Sequence, residues 1–148
     1  MNRNSLFFED RLLARKIAFS LLNTPYVWGG DDPLRGFDCS GLVVEILKSV
    51  GILKEHEDYT ADGLYRKFKK HEVEKPHLGC LAFWGFEERK THVAFCISDR
   101  HVITASGGGF RTQTLADAVR QNAFVKCRRI DYRPGPVWFE DPFLEILK

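Results

Sequence analysis

A cysteine set between a glycine turn and an apolar helical run is the first feature of chemical interest. Cys39 follows Gly36-Phe37-Asp38 and precedes Ser40-Gly41-Leu42-Val43. Leu42, Val43, Ile46, Leu47 and Val50 recur at the i, i+3, i+4, i+7 spacing that buries one face of a helix. Asp38 is the residue type that caps a helix start, and Gly51 is the type that ends one in the left-handed region. Cys39 therefore falls in the first helical turn, where free N–H groups and the helix dipole favour a thiolate. A thiolate is a nucleophile at neutral pH. The alternative is an unpaired cysteine that simply packs as a small apolar side chain.

The elements that must position Cys39 are readable around it. Residues 9–22 predict a helix, with Leu12, Leu13, Ile17, Phe19, Leu21 and Leu22 among Arg11, Arg15 and Lys16. The stretch from Tyr26 to Phe37 holds Gly29, Gly30, Pro33 and Gly36 and reads as a loop. A second helix is expected over 58–70 with Thr60 as its cap, and a short one over 114–121. Residues 79–85, 92–98, 101–105 and 124–131 read as strands bounded by turn formers. Helices first and an antiparallel sheet afterwards argue an α+β domain, core about 10–131. The tail, 132–148, is aromatic and carries Pro134, Pro136 and Pro142. It is expected to drape over the domain or to dock another chain.

Composition bounds the function. The chain has 148 residues, enough for one domain with a real core, and is 44% hydrophobic and 28% charged. A net charge of +2 gives no argument for nucleic acid, and no apolar run has the length of a membrane span. The first ten residues hold no apolar core ahead of a small-residue cleavage site, so no signal peptide is expected and synthesis in the cytoplasm follows. The cysteines at 39, 80, 96 and 127 form no CxxC pair and have no histidine at ligand spacing, so neither a metal nor another cofactor is expected.

Three segments in order resemble the NlpC-type cell-wall cysteine peptidases. They are Pro25-Tyr26-Val27-Trp28-Gly29-Gly30 with the Cys39 run, Pro76 to Trp84, and Thr91-His92-Val93-Ala94-Phe95-Cys96-Ile97. The resemblance implies a papain-like α+β fold, N-terminal helices packed on a small antiparallel sheet, with Cys39 as nucleophile and His92 as its base. It also implies Tyr26 as an oxyanion donor or substrate contact, and Asp38 with Ser40 as binders of a substrate amine. Tyr26 can equally be a core aromatic, and Trp28, Phe37 and Trp84 can wall the groove or fill the core. Cys80 stands where the family usually has an aspartate.

The third position departs from the family, which there carries a His, Asn, Gln or acidic residue. Here it is Thr104, twelve residues after His92. A three-residue loop at 98–100 puts His92, Thr104 and Ser106 on one hairpin face; a two-residue loop turns His101, Ile103 and Ala105 there instead. Thr104 Oγ can accept an imidazole N–H and fix the tautomer, with Ser106, a carbonyl or water as substitutes. His101 lies five or six residues along the hairpin, roughly 17–20 Å from His92 at about 3.3 Å per residue. His56, His71 and His77 have polar neighbours and read as surface residues.

By resemblance the substrate is the peptidoglycan stem peptide, commonly cut between D-γ-glutamate and the diamino acid. Reaching the wall would take cell lysis, a phage particle or a secretion machine, and hence a delivery partner. Two other functions fit the residues: acyl transfer or amidase chemistry on a non-wall substrate, and a binding or structural protein whose site has decayed from its third position.

Overall fold

The structure, a computed structural model, describes residues 6–147. Residues 1–5, part of the stretch read for a signal peptide, and Lys148 of the tail lie outside the described residues. Helix α1 spans Phe8–Ser20, but its buried residues are Arg11, Ala14 and Ala18, while Leu13 and Phe19 face outward. The two alanines let α1 lie close against the helix that carries Cys39. Arg11 is buried because the fork of its guanidinium meets both carboxylate oxygens of Asp141, each at 2.9 Å.

Two short strands, β1 (Asp31–Asp32) and β2 (Gly36–Phe37), pair across the glycine loop and lead into helix α2 (Cys39–Ser49). The Gly41 N–H donates to the Asp38 carboxylate at 2.7 Å, the cap expected from the sequence. Gly41 is required by close approach, since the Gly30 carbonyl occupies the space that a Cβ would need. Gly51, at φ 81°, takes the left-handed conformation just past the end of α2. Helix α3 (Ala61–Phe68) is capped by Thr60, which accepts the Gly63 N–H at 3.0 Å; Lys69–His71 then tighten into a 3₁₀ turn.

The remaining elements are β3 (Glu72–Val73), β4 (Leu81–Gly85), β5 (Lys90–Cys96), β6 (His101–Ala105), α4 (Leu115–Gln121), β7 (Val125–Arg129) and β8 (Trp138–Glu140). Six strands form one antiparallel sheet in the order β3-β8-β4-β5-β6-β7. Leu81, Phe83, Val93, Phe95, Ile103 and Val125 bury one face under the helices. Cys80, Ala82, Trp84, Ala94, Cys96 and Val102 bury the other under Ile130, Tyr132, Val137 and Phe139. Burial of each large apolar side chain contributes about 1.5–3 kcal/mol, so both layers fix the sheet.

The tail, expected to drape over the domain or to dock another chain, covers this second face through Tyr132, Val137 and Phe139 and also joins the sheet. It returns as β8 between β3 and β4, and Pro142–Leu147 follow as a 3₁₀ helix. The physical reason is that β4 is apolar on both faces and would otherwise present an unpaired edge.

Candidate active site

The site lies where the sheet parts. Phe95 pairs with Ile103 and Cys96 with Val102, which is the register of the three-residue loop, and the β5–β6 ladder stops there. On the other side of β5, Trp84 pairs with His92 and the register then shifts between Trp84 and Gly85. Such irregularities re-aim side chains at sheet ends. Close to this opening comes the start of α2. The Val93 backbone N–H lies near enough to the Cys39 sulfur to favour its ionised form, which places the thiol near the strand that carries His92. Cys39 and His92 both line one cleft of about 640 Å³, together with Tyr26, Asp38 and Ser40.

His92 is held from behind by two hydroxyls. Its Nε2 is 3.0 Å from Thr104 Oγ1 and 2.8 Å from Tyr132 Oη. The Thr104 hydroxyl donates to the Val93 carbonyl at 3.4 Å, which leaves its lone pairs for the imidazole N–H. With Nε2 so engaged, Nδ1 is the ring nitrogen free to serve a neighbour. Trp84 and Tyr132 flank the ring, with centroids 5.4 Å and 6.4 Å from it. Ser106 does not bond His92. Its buried hydroxyl lines the cleft without a protein partner among the described residues.

Burial acts against the expected thiolate. Cys39 is half-buried as a residue but its sulfur is enclosed, and this burial pushes the thiol up to about 11 against the N–H groups of Val93 and Ser40. Burial likewise brings His92 down to about 3, with the nearby Arg133 cation acting in the same direction. Both shifts favour the neutral thiol and the neutral imidazole. The helix start is present, but desolvation outweighs it.

The other expected residues fall as follows. Tyr26 is buried yet reaches the cleft, and burial first, then Cys39 and Asp38, raises its phenol so that it stays protonated. Ser40 Oγ donates to the Asp38 carboxylate at 3.3 Å, and burial raises the Asp38 carboxyl above its usual value. Trp28 is exposed and lines the cleft, whereas Phe37 and Trp84 are buried. His101 and His56 are exposed. His71 and His77 are not free surface residues: they pair with Glu145 at 2.8 Å and Asp141 at 2.9 Å, carboxylates of the tail.

Ligand atoms of His77, Cys80 and Asp141 lie within 4.8 Å of one another. Arg11 already occupies both oxygens of Asp141, so a guanidinium holds the place a metal cation would take. Tyr132 and Arg133 are the site residues that sequence reasoning missed. Tyr132 belongs to the apolar cover of the sheet. The cue was an aromatic next to a cation directly after the last core strand.

The sequence model of the NlpC/P60 family matches residues 23–129. The probable endopeptidase YafL of Escherichia coli (strain K12) is 34% identical over 115 residues, covering 74% of this chain and 45% of that protein. The murein DD-endopeptidase MepH of the same organism is 32% identical over 127 residues, covering 79% of this chain and 46% of MepH. The chain thus spans less than half the length of these curated relatives. The solved NlpC/p60 domain of the peptidoglycan hydrolase SagA superposes with a TM-score of 0.63 at 22% identity, over 86% of this chain and 96% of that domain. That likeness establishes the papain-like α+β fold.

Proposed function

The chain belongs to the NlpC/P60 family, and from that premise and the cleft we propose a cysteine endopeptidase that hydrolyses an amide bond of the peptidoglycan stem peptide. The observation that carries this reading is that Cys39, at the start of α2, and His92, on β5, line one cleft together with Tyr26, Asp38 and Ser40. Burial that favours the neutral forms of both groups supports a concerted first step, in which His92 takes the thiol proton as the sulfur attacks the carbonyl.

The C–S bond forms and the carbonyl electrons move to oxygen. The Cys39 backbone N–H and the protonated Tyr26 phenol are the donors for that oxyanion. His92 then passes its proton to the leaving amine as the C–N bond breaks. Water, deprotonated by the same imidazole, releases the acyl group and restores the thiol. Thr104 and Tyr132 hold the ring through these steps, and Asp38 with Ser40 offers a carboxylate and a hydroxyl to a substrate amine.

The bond we assign is that between D-γ-glutamate and the diamino acid, following the resemblance of the Tyr26, Asp38 and Ser40 positions. The name of MepH points instead to a DD bond, and the two cleavages release different fragments. Purified peptidoglycan treated with the wild type and with Cys39→Ala separates these outcomes by mass analysis. New γ-glutamyl carboxyl and diamino-acid amino ends from the wild type alone are expected. Identical profiles from both proteins would refute the hydrolase reading for this substrate.

A further inference from the structure

Arg133 stands in the cleft with nothing to pair with. It lines the cleft together with Cys39 and His92 and lies close enough to bias the charge of both. It is half-buried, and its guanidinium has no hydrogen bond or ion pair among the described residues. The other arginines named in ion pairs, Arg11, Arg66, Arg120 and Arg129, each meet a carboxylate. Its backbone is extended, at φ −113° and ψ 143°, as the following Pro134 requires. The preceding Tyr132 is anchored on His92 and against Trp84. The guanidinium thus reaches the cleft near His92 with its five donors unused among the described residues. Asp38 and Ser40 supply a carboxylate and a hydroxyl at the start of α2.

Resting on the endopeptidase reading, we propose that Arg133 is a specificity residue that binds a substrate carboxylate flanking the scissile amide. A planar guanidinium matches a carboxylate in two parallel hydrogen bonds, a match a carboxamide cannot reproduce. Arg133 lies just beyond the residues that the family model matches, 23–129. The carboxylate can sit on the acyl residue or on the leaving residue, and substrates distinguish the two. One pair of stem peptides carries the α-carboxylate of the γ-linked glutamyl residue or its carboxamide. A second pair carries the leaving diamino acid with a free carboxylate or as its amide.

The experiment compares kcat/KM of the wild type, Arg133→Gln and Arg133→Lys on both pairs, with thermal melting to confirm folding. The wild type is expected to prefer the carboxylate member of one pair by about tenfold or more, the range of a charged hydrogen-bonded pair. Arg133→Gln should abolish that preference, so that its loss of kcat/KM on the carboxylate member exceeds its loss on the carboxamide member by about tenfold or more. Arg133→Lys should keep only part of it, since an ammonium is a point charge. Equal losses on both members would make Arg133 a general electrostatic group and overturn the proposal, as would a wild type indifferent to both pairs. Calorimetric binding of the same peptides to Cys39→Ala separates the two readings. Arg133-dependent preference for the carboxylate peptide without turnover by the wild type would sink the hydrolase and keep the carboxylate site. Binding indifferent to the carboxylate would remove the site whatever the turnover.

Discussion

Replacing Thr104 by valine tests how His92 is held, and the structure fixes what should happen. Thr104 Oγ1 sends its own proton to the Val93 carbonyl and so accepts the proton of Nε2, 3.0 Å away. That choice leaves Nδ1 bare to act as a base. The Tyr132 hydroxyl, 2.8 Å from the same nitrogen, can accept that proton too, but it can also donate to a bare Nε2. If it donates, the ring proton moves to Nδ1 and the base is lost. Thr104→Val keeps the shape of a side chain that is 1% exposed, removes the acceptor and frees Tyr132 to donate. A hydrogen bond to the imidazolium of the transition state contributes about 1.5–3 kcal/mol, so kcat should fall about tenfold to a hundredfold. Thr104→Ser retains the acceptor and should stay within about threefold of the wild type. Tyr132→Phe keeps the ring against Trp84 and should cost less than about fivefold, while adding it to Thr104→Val should recover part of the loss. Steady-state cleavage of a soluble stem peptide, with melting curves for each variant, reads all four. A Thr104→Val enzyme within twofold of the wild type, or one less impaired than Tyr132→Phe, would refute the tautomer argument.

Three further outcomes follow from burial. In a Cys127→Ser background, which removes the exposed thiol, alkylation of Cys39 by iodoacetamide should rise about tenfold per pH unit from pH 6 to 9 without a plateau, because the thiol sits at about 11. A plateau near pH 7 would restore the thiolate pair. Glu140 is fully buried, has no partner for either oxygen among the described residues and is held protonated up to about 9, first by burial and then by Glu72 opposite it. The unfolded chain releases that proton from its ordinary value of 4.5 upward, so stability should fall between pH 4.5 and 9 by at most about 1.4 kcal/mol per pH unit. Glu140→Gln should raise the melting temperature at pH 8 and not at pH 4; parallel pH profiles would contradict this. Asp141→Asn strands the buried Arg11 guanidinium beside half a partner and should destabilise the fold by about 3–5 kcal/mol in denaturant titration, the scale for breaking a buried pair. A loss below 1 kcal/mol would show that the pair is solvated.

What was legible in the sequence was local. The Asp38 cap, the α2 face and the Gly51 stop are set within a few residues, and the hairpin register follows from its loop length. The burial of Arg11 was not legible, because helical spacing sorts residues by polarity while its burial depends on Asp141, 130 positions away. The burial of the Cys39 sulfur was not legible either: a helix start is visible in the sequence, whereas desolvation depends on what packs against it from elsewhere in the chain. Nor was the entry of the tail into the sheet, since its prolines bracket a strand of three residues.

That tail helps to hold the site together. The Cys80 sulfur lies within 4.8 Å of ligand atoms of His77 and Asp141. The Asp141 carboxylate arrives from the residue just after β8, and Arg11 and His77 hold it in place. Tyr132 comes to the same imidazole nitrogen as Thr104. Asp141 and Tyr132 both lie beyond the matched residues 23–129. Pairing of β8 with β4 and the bond from Tyr132 to His92 make the return of the chain part of the site as well as part of the sheet. A threonine at the third position is therefore tolerable here for a physical reason: the imidazole is boxed by Trp84 and Tyr132, so its orientation rests on packing as much as on one hydrogen bond.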